Sequence, residues 1–202
     1  MRVNDRLFRQ IKGGIYHSTS VSGYRAIRSS GHILPNSGQF PFSHGQSPHS
    51  CCYKIVAISL LDLRQPARPL VGQEAWRNWT TFLTNHEPIT VLLDLAPDSL
   101  SEPLHDFDSL QKRFPFGTMV AEAEKCYPGP ISFAAVRRCI LVCAKWHTIF
   151  RIIPGNEISD IDFSRTEAQF DRKWERVRPK SNGPVLGLAI FDELSDAITE
   201  VS

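Results

Sequence analysis

The stretch IYHSTSVSGYRAIRSSGHILPN, residues 15–36, constrains the fold more than any other part of the chain. Ile15 to Ser20 reads as a strand, and Val21 to Ser30 as a short helix whose apolar stripe is Tyr24 and Ile27. Gly31 follows where a helix C-cap needs a left-handed residue. His32 to Leu34 is a second short extended piece, stopped by Pro35-Asn36. Within the first strand, His17 is out of place on packing grounds alone. A buried strand prefers Val, Ile or an aromatic there, and a surface strand has no special use for His-Ser-Thr-Ser. Its role must come from something that converges on it.

The remaining elements follow without regular alternation. Residues 37–50, SGQFPFSHGQSPHS, form a long aperiodic loop, of a length that is either disordered or a cover over a functional site. Cys52 to Leu63 reads as a buried strand by length and β-branching, and Gln73 to Asn85 as a helix with Trp76, Trp79, Phe82 and Leu83 on one packing face. Ile89 to Leu95, ITVLLDL, is the clearest strand. Asp98 to Leu110 reads as partly helical, capped by Asp98 or Ser99, and Lys112 to Gly117 as a loop holding Phe114 and Phe116. Val136 to Ala144 and Thr148 to Ile153 are two more strands. Thr166 to Val177 is an amphipathic helix through Phe170, Trp174 and Val177, and Val185 to Ile198 a last apolar segment. Mixed strands and helices in this order predict an α+β fold rather than a doubly wound sheet.

The 202 residues are enough for one domain, with a core over about residues 14–153 and a C-terminal helical extension over about 160–202. At 42% hydrophobic and 22% charged the composition is that of an ordinary soluble protein. The net charge of +2 permits a nucleic-acid partner without arguing for one. Arg172, Lys173, Arg176, Arg178 and Lys180 form one basic stretch, either a solvated face or a phosphate-contacting patch. No run approaches the ~18 apolar residues of a membrane span, so the expected location is the cytoplasm, with no membrane partner. Five cysteines, Cys51, Cys52, Cys126, Cys139 and Cys143, lack metal-site spacing; Cys139 and Cys143 read as core residues, and the adjacent Cys51-Cys52 pair as plain thiols in preference to a redox-sensitive pair. Scattered histidines argue against a metal. A Gly-x-Ser-x-Gly elbow and a phosphate loop are both missing from the sequence.

The second chemical segment is AEAEK, residues 121–125. In an extended strand Glu122 and Glu124 point to the same face, and paired carboxylates raise at least one pKa. On a solvated edge this means little. In a cleft it poises one glutamate as a hydrogen-bonding group or base.

Taken together, YHSTSVSGYRAIRSSGHILP and AEAEKCYPGPISFAAVRRCILV resemble the ADP-ribosyltransferase-like superfamily. The likeness lies in an aromatic-His-x-Thr strand, a helix with Ile and Gly, an Ile-x-Pro segment, and a late acidic residue before Pro-x-x-Ile and an apolar strand. It spans roughly residues 14–144. It implies a split β-sandwich with peripheral helices, two small sheets lying roughly orthogonal with an NAD cleft between them. It implies a glycosyltransferase that consumes NAD and passes ADP-ribose to a protein or nucleic-acid acceptor, in the manner of a toxin or defence effector with an antitoxin or immunity partner. The family's ribose-binding histidine maps to His17, with Ser18, Thr19 and Ser20 beside it. The middle position maps to Tyr53, or to Ser59 in the serine-bearing variant. The acidic position maps to Glu124 or Glu122, Glu124 being preferred because the second glutamate of such a pair serves the NAD chemistry and the first the acceptor. An imidazole and an acid should therefore meet across one groove. Relatives with other chemistry on this fold are NAD glycohydrolases, RNA 2′-phosphotransferases and non-catalytic nucleotide-binding domains.

Overall fold

The computed structural model describes residues 11–40, 48–64, 82, 86, 89–120, 123–145 and 148–155, with residues 143–145 and 148–155 described by their backbone alone. The expected helix over 73–85 apart from Phe82, Glu122, the basic stretch and the C-terminal extension lie outside the described residues.

The opening is as the sequence predicts. Strand β1 is Ile15–Ser20 and helix α1 is Val21–Ser30. Ser20 ends the strand and caps the helix, its Oγ accepting from the Gly23 N–H at 3.0 Å. Gly31 closes the helix at φ 73, donating its N–H to the Ile27 carbonyl at 2.9 Å. Because one residue serves both elements, no linker separates them, and α1 lies close over the strand that launches it.

Strand β2, His32–Ile33, comes next. Residues 51–54 depart from expectation: Cys51–Lys54 is a helical turn, α2, and strand β3 starts only at Ile58 and runs to Asp62. The Ala57 N–H returns to the Cys52 carbonyl at 2.8 Å, and Val56 takes the strained φ of 52 that this tight reversal requires. An apolar run buried as a turn has the same composition as one buried as a strand, so periodicity does not separate them.

Strand β4, Ile89–Leu95, is buried at all seven positions, as a strand covered on both faces must be. The stretch expected to be partly helical, 98–110, carries a short 3-10 turn at Pro97–Ser99 and then the start of helix α3, Phe107–Arg113, which is capped by neither Asp98 nor Ser99. The cap of α3 is Asp106, whose carboxylate accepts from the Ser109 N–H at 2.9 Å. Lys112 and Arg113 belong to α3, not to the loop that follows. Strands β5 (Glu124–Tyr127), β6 (Ile131–Ser132), β7 (Val136–Lys145) and β8 (Thr148–Gly155) complete the described elements.

The fold is mixed α and β. A six-stranded sheet has the order β5-β3-β1-β4-β7-β8, all neighbours antiparallel, and β2 pairs with β6 as a separate ribbon. One large sheet and a ribbon thus stand where two small sheets were expected. Alternate residues feed two cores. Ile15, Leu60, Val91 and Leu93 pack with Tyr24 and Ile27 of α1 on one face. Tyr16, Leu61, Leu92 and Ile140 pack with Ile11 and Phe82 on the other.

One ladder is incomplete. β1 and β3 pair only at Ile15↔Asp62 and Tyr16↔Leu61. Beyond Tyr16, β1 stays with β4 through Ser20, while β3 stays with β5 back to Ile58. The sheet therefore opens between β3 and β1.

Candidate functional site

A cavity of about 450 Å³ occupies this opening, a size within the range of small-molecule sites. His17 to Ser20 form one wall, Ala57 to Ser59 the other, and α1 presents Gly23, Ala26 and Ile27. Phe40 and Tyr53 add aromatic surface. The sequence-predicted residues His17, Ser18, Thr19, Tyr53 and Ser59 all line this one space. They come from β1, α2 and β3, and only the split of the sheet brings them together.

Glu124 is placed differently from expectation. It is 7% exposed and does not itself form the cavity wall. Its register partner on β3 is Leu61, which puts it on the same face as Ser59 two pairs further along. The Ser59 hydroxyl donates to Glu124 Oε1 at 2.6 Å, and the Val120 N–H donates to Oε2 at 2.7 Å. Imidazole and acid thus do not confront each other directly. Ser59 stands between them, its carbonyl oxygen 3.3 Å from His17 Nδ1 and its hydroxyl on the glutamate. Burial pushes the Glu124 carboxyl above its ordinary range, opposed by the two hydrogen bonds.

A carbonyl can only accept, so the Ser59 contact places the hydrogen of a neutral His17 ring on Nδ1 and leaves Nε2 an acceptor. The ring is neutral over most of the pH range, since burial lowers its pKa to about 4. His86, also on the cavity wall, is likewise lowered to about 4 by burial.

The other predicted residues have structural duties. Ser18 donates its hydroxyl to the Phe82 carbonyl at 2.6 Å, tying β1 to the segment before β4. Thr19 is buried and packs against α1 so closely that a methyl at Gly23 would collide with its hydroxyl. Tyr53 lies on the α2 turn rather than at the start of a strand. Phe114 packs partly buried beside Leu110, whereas Phe116 is 88% exposed.

Sequence reasoning missed one bond. Cys52 and Cys126 form a disulfide, in place of the two plain thiols expected. It ties the turn carrying Tyr53 to the strand carrying Glu124, and the Cys52 sulfur lies 3.7 Å from Glu124 Oε1. An adjacent Cys51-Cys52 pair and a distant Cys126 carry no spacing signal for this pairing, which only the α2 turn brings into reach. Cys51 and Cys139 are buried free thiols. Among the described residues no group of His, Cys, Asp or Glu is placed to hold a metal ion, and no helix is long and apolar enough to cross a membrane.

No family model, curated protein or solved structure matches the chain.

Proposed function

We propose that this chain is an NAD-consuming ADP-ribosyltransferase on an ADP-ribosyltransferase-like fold, passing ADP-ribose to a protein or nucleic-acid acceptor. The observation that carries the reading is the His17–Ser59–Glu124 chain at a cavity where a central sheet splits. The motif resemblance supplies the rest.

The chemistry suits these groups. Breaking the nicotinamide–ribose bond builds oxocarbenium-like positive charge on the sugar, as in glycoside hydrolysis. The leaving group is already cationic, so no general acid is required. What the site must supply is negative charge near the ribose and hydrogen bonds that orient it. The Ser59 hydroxyl, its hydrogen given to Glu124, keeps its lone pairs for a ribose hydroxyl. A ribose O–H donating to Ser59 then completes a relay that ends on a buried carboxylate. Hydrogen bonds in such a series polarise one another. Neutral His17, with Nε2 an acceptor, is suited to a second ribose hydroxyl.

A second reading has its own support: both Glu124 oxygens already have protein partners. That arrangement also fits a nucleotide-binding domain without catalysis. Incubation with labelled NAD separates the two. Nicotinamide release, with label moving to added DNA, RNA or lysate protein, is expected of the transferase. Glu124→Gln should abolish transfer and leave the fold intact, and Glu122→Gln should leave nicotinamide release in place. Release without any labelled acceptor makes the chain a glycohydrolase. Binding without release makes it a binding domain, and absence of NAD binding ends the proposal.

The proposed cytoplasmic location is open to test through the disulfide. A reducing compartment keeps such cysteines as thiols, so mapping the Cys52–Cys126 bond in protein taken from its native compartment bears on where the chain resides.

A further inference from the structure

A second hollow, of about 330 Å³, is lined by Lys12, Gly13, Gly14, Tyr16, Asp94, Arg137 and Arg138. It shares no lining residue with the cavity at the sheet split. Its floor is Asp94, a carboxylate on the fully buried strand β4 that is 3% exposed. Arg137 Nη2 donates to Asp94 Oδ1 at 2.6 Å and Arg138 Nε to Oδ2 at 2.7 Å.

Two consecutive residues of a strand ordinarily point to opposite faces. Here a β-bulge overrides that rule. The β4–β7 ladder pairs Asp94 with Arg138 and Leu95 with Val136, so Arg137 is an extra residue without a partner on β4. A bulge of this kind re-aims a side chain, and it turns both guanidinium groups onto one acid. The Tyr16 hydroxyl adds a further brace, 3.3 Å from Arg138 Nη2 and donating to the Ile11 carbonyl at 2.9 Å. A methyl at Gly14 would collide with the Tyr16 ring, so glycine lets the turn carrying Lys12 close against it.

One buried carboxylate balances one arginine. The second arginine and Lys12 leave the described lining with three cations against a single anion. The two guanidinium planes are held by Asp94 while their side chains are 49% and 38% exposed. Forked N–H donors fixed in orientation, with an exposed ammonium in the same lining, match the several acceptor oxygens of a phosphate group.

We propose that this hollow is a phosphate-binding site, taking either a phosphorylated small molecule or a phosphodiester of single-stranded nucleic acid. The inference is independent of the NAD reading.

Calorimetric titration of the intact protein at constant ionic strength tests it, with inorganic phosphate, pyrophosphate and a short single-stranded oligonucleotide as probes. At least one probe should give saturable binding. Arg137→Gln removes a charge-assisted donor while Arg138 still neutralises Asp94. It should weaken binding about tenfold, and Lys12→Gln should act similarly. Arg137→Lys, which keeps charge but loses the fork, should fall between. Oligonucleotide binding much tighter than pyrophosphate identifies the polymer as the source, and no such gain identifies a small phosphorylated ligand. Glu124→Gln should change none of these values. Lys12 is exposed on a turn, so its variant keeps the test available should Arg137→Gln disturb folding. Absence of saturable binding by all three probes, or equal binding by the Lys12→Gln/Arg137→Gln double variant, overturns the proposal.

Discussion

Replacing Ser59 by alanine takes one of two donors from a buried carboxylate. With Glu124 only 7% exposed, water has little access to replace the lost hydroxyl. A hydrogen bond to an ionised group contributes about 1.5–3 kcal/mol, and one between neutral groups about 0.5–1.5 kcal/mol. Ser59→Ala should therefore cost about 2 kcal/mol where Glu124 is ionised, and about 1 kcal/mol where it is protonated. Linkage fixes the direction. Burial raises the folded pKa of Glu124 above its ordinary value of 4.5. Its contribution to stability is then fully present below that ordinary value and is lost as pH rises through the folded one. The Ser59 hydrogen bond opposes this upward shift. Without it the folded pKa moves higher still, and the loss extends over a wider range. Urea unfolding followed by fluorescence from pH 4 to 8 measures the difference. The same serine substitution in a Glu124→Gln background, where no carboxylate titrates at this position, should show no such pH dependence. A Ser59→Ala cost larger at pH 4 than at pH 8, or below about 0.5 kcal/mol throughout, would refute the relay described here.

Three other outcomes are expected. The Cys52–Cys126 bond closes a separation of 74 residues, for which chain entropy predicts about 4 kcal/mol. Peptide mapping without reductant should recover the linked pair, and a Cys52→Ala/Cys126→Ala variant should unfold at markedly lower urea. Both cysteines found free in air-oxidised protein would count against it. His17 and His86, each lowered to about 4, should stay neutral down to pH 5.5. Ring-proton NMR shifts that titrate near 6.5 would contradict that. Stability from these lowered groups is present above the ordinary histidine value and is lost as pH falls through about 4. Gly23→Ala, which helix propensity alone would favour by about 1 kcal/mol, should instead destabilise by about 1–3 kcal/mol because of the Thr19 collision. Thermal melts decide the sign.

Much of the framework was legible because local rules govern it. The bounds of β1 and α1, the left-handed Gly31, and the buried strand β4 follow from residue type and spacing. The same rules misassigned Cys52–Lys54 as strand, where a compact turn and a strand share one composition, and put the helix cap at Asp98 or Ser99 rather than Asp106. At the site, His17 and Glu124 could be singled out by their chemistry, since an imidazole and a carboxylate are expensive to bury without purpose.

What joins them was not legible. The two-pair ladder between β1 and β3 opens the cavity, Ser59 stands between ring and acid, and a disulfide ties the turn carrying Tyr53 to the strand carrying Glu124. The bulge at Arg137 likewise turns two neighbouring arginines onto Asp94. Sequence alone determined β1, α1 with its Gly31 cap, β4 and the chemically unusual residues, because each depends on a few neighbours along the chain. Tertiary structure alone decided which of them meet, because strand order, register and the point where a ladder stops are set by packing between segments far apart in sequence.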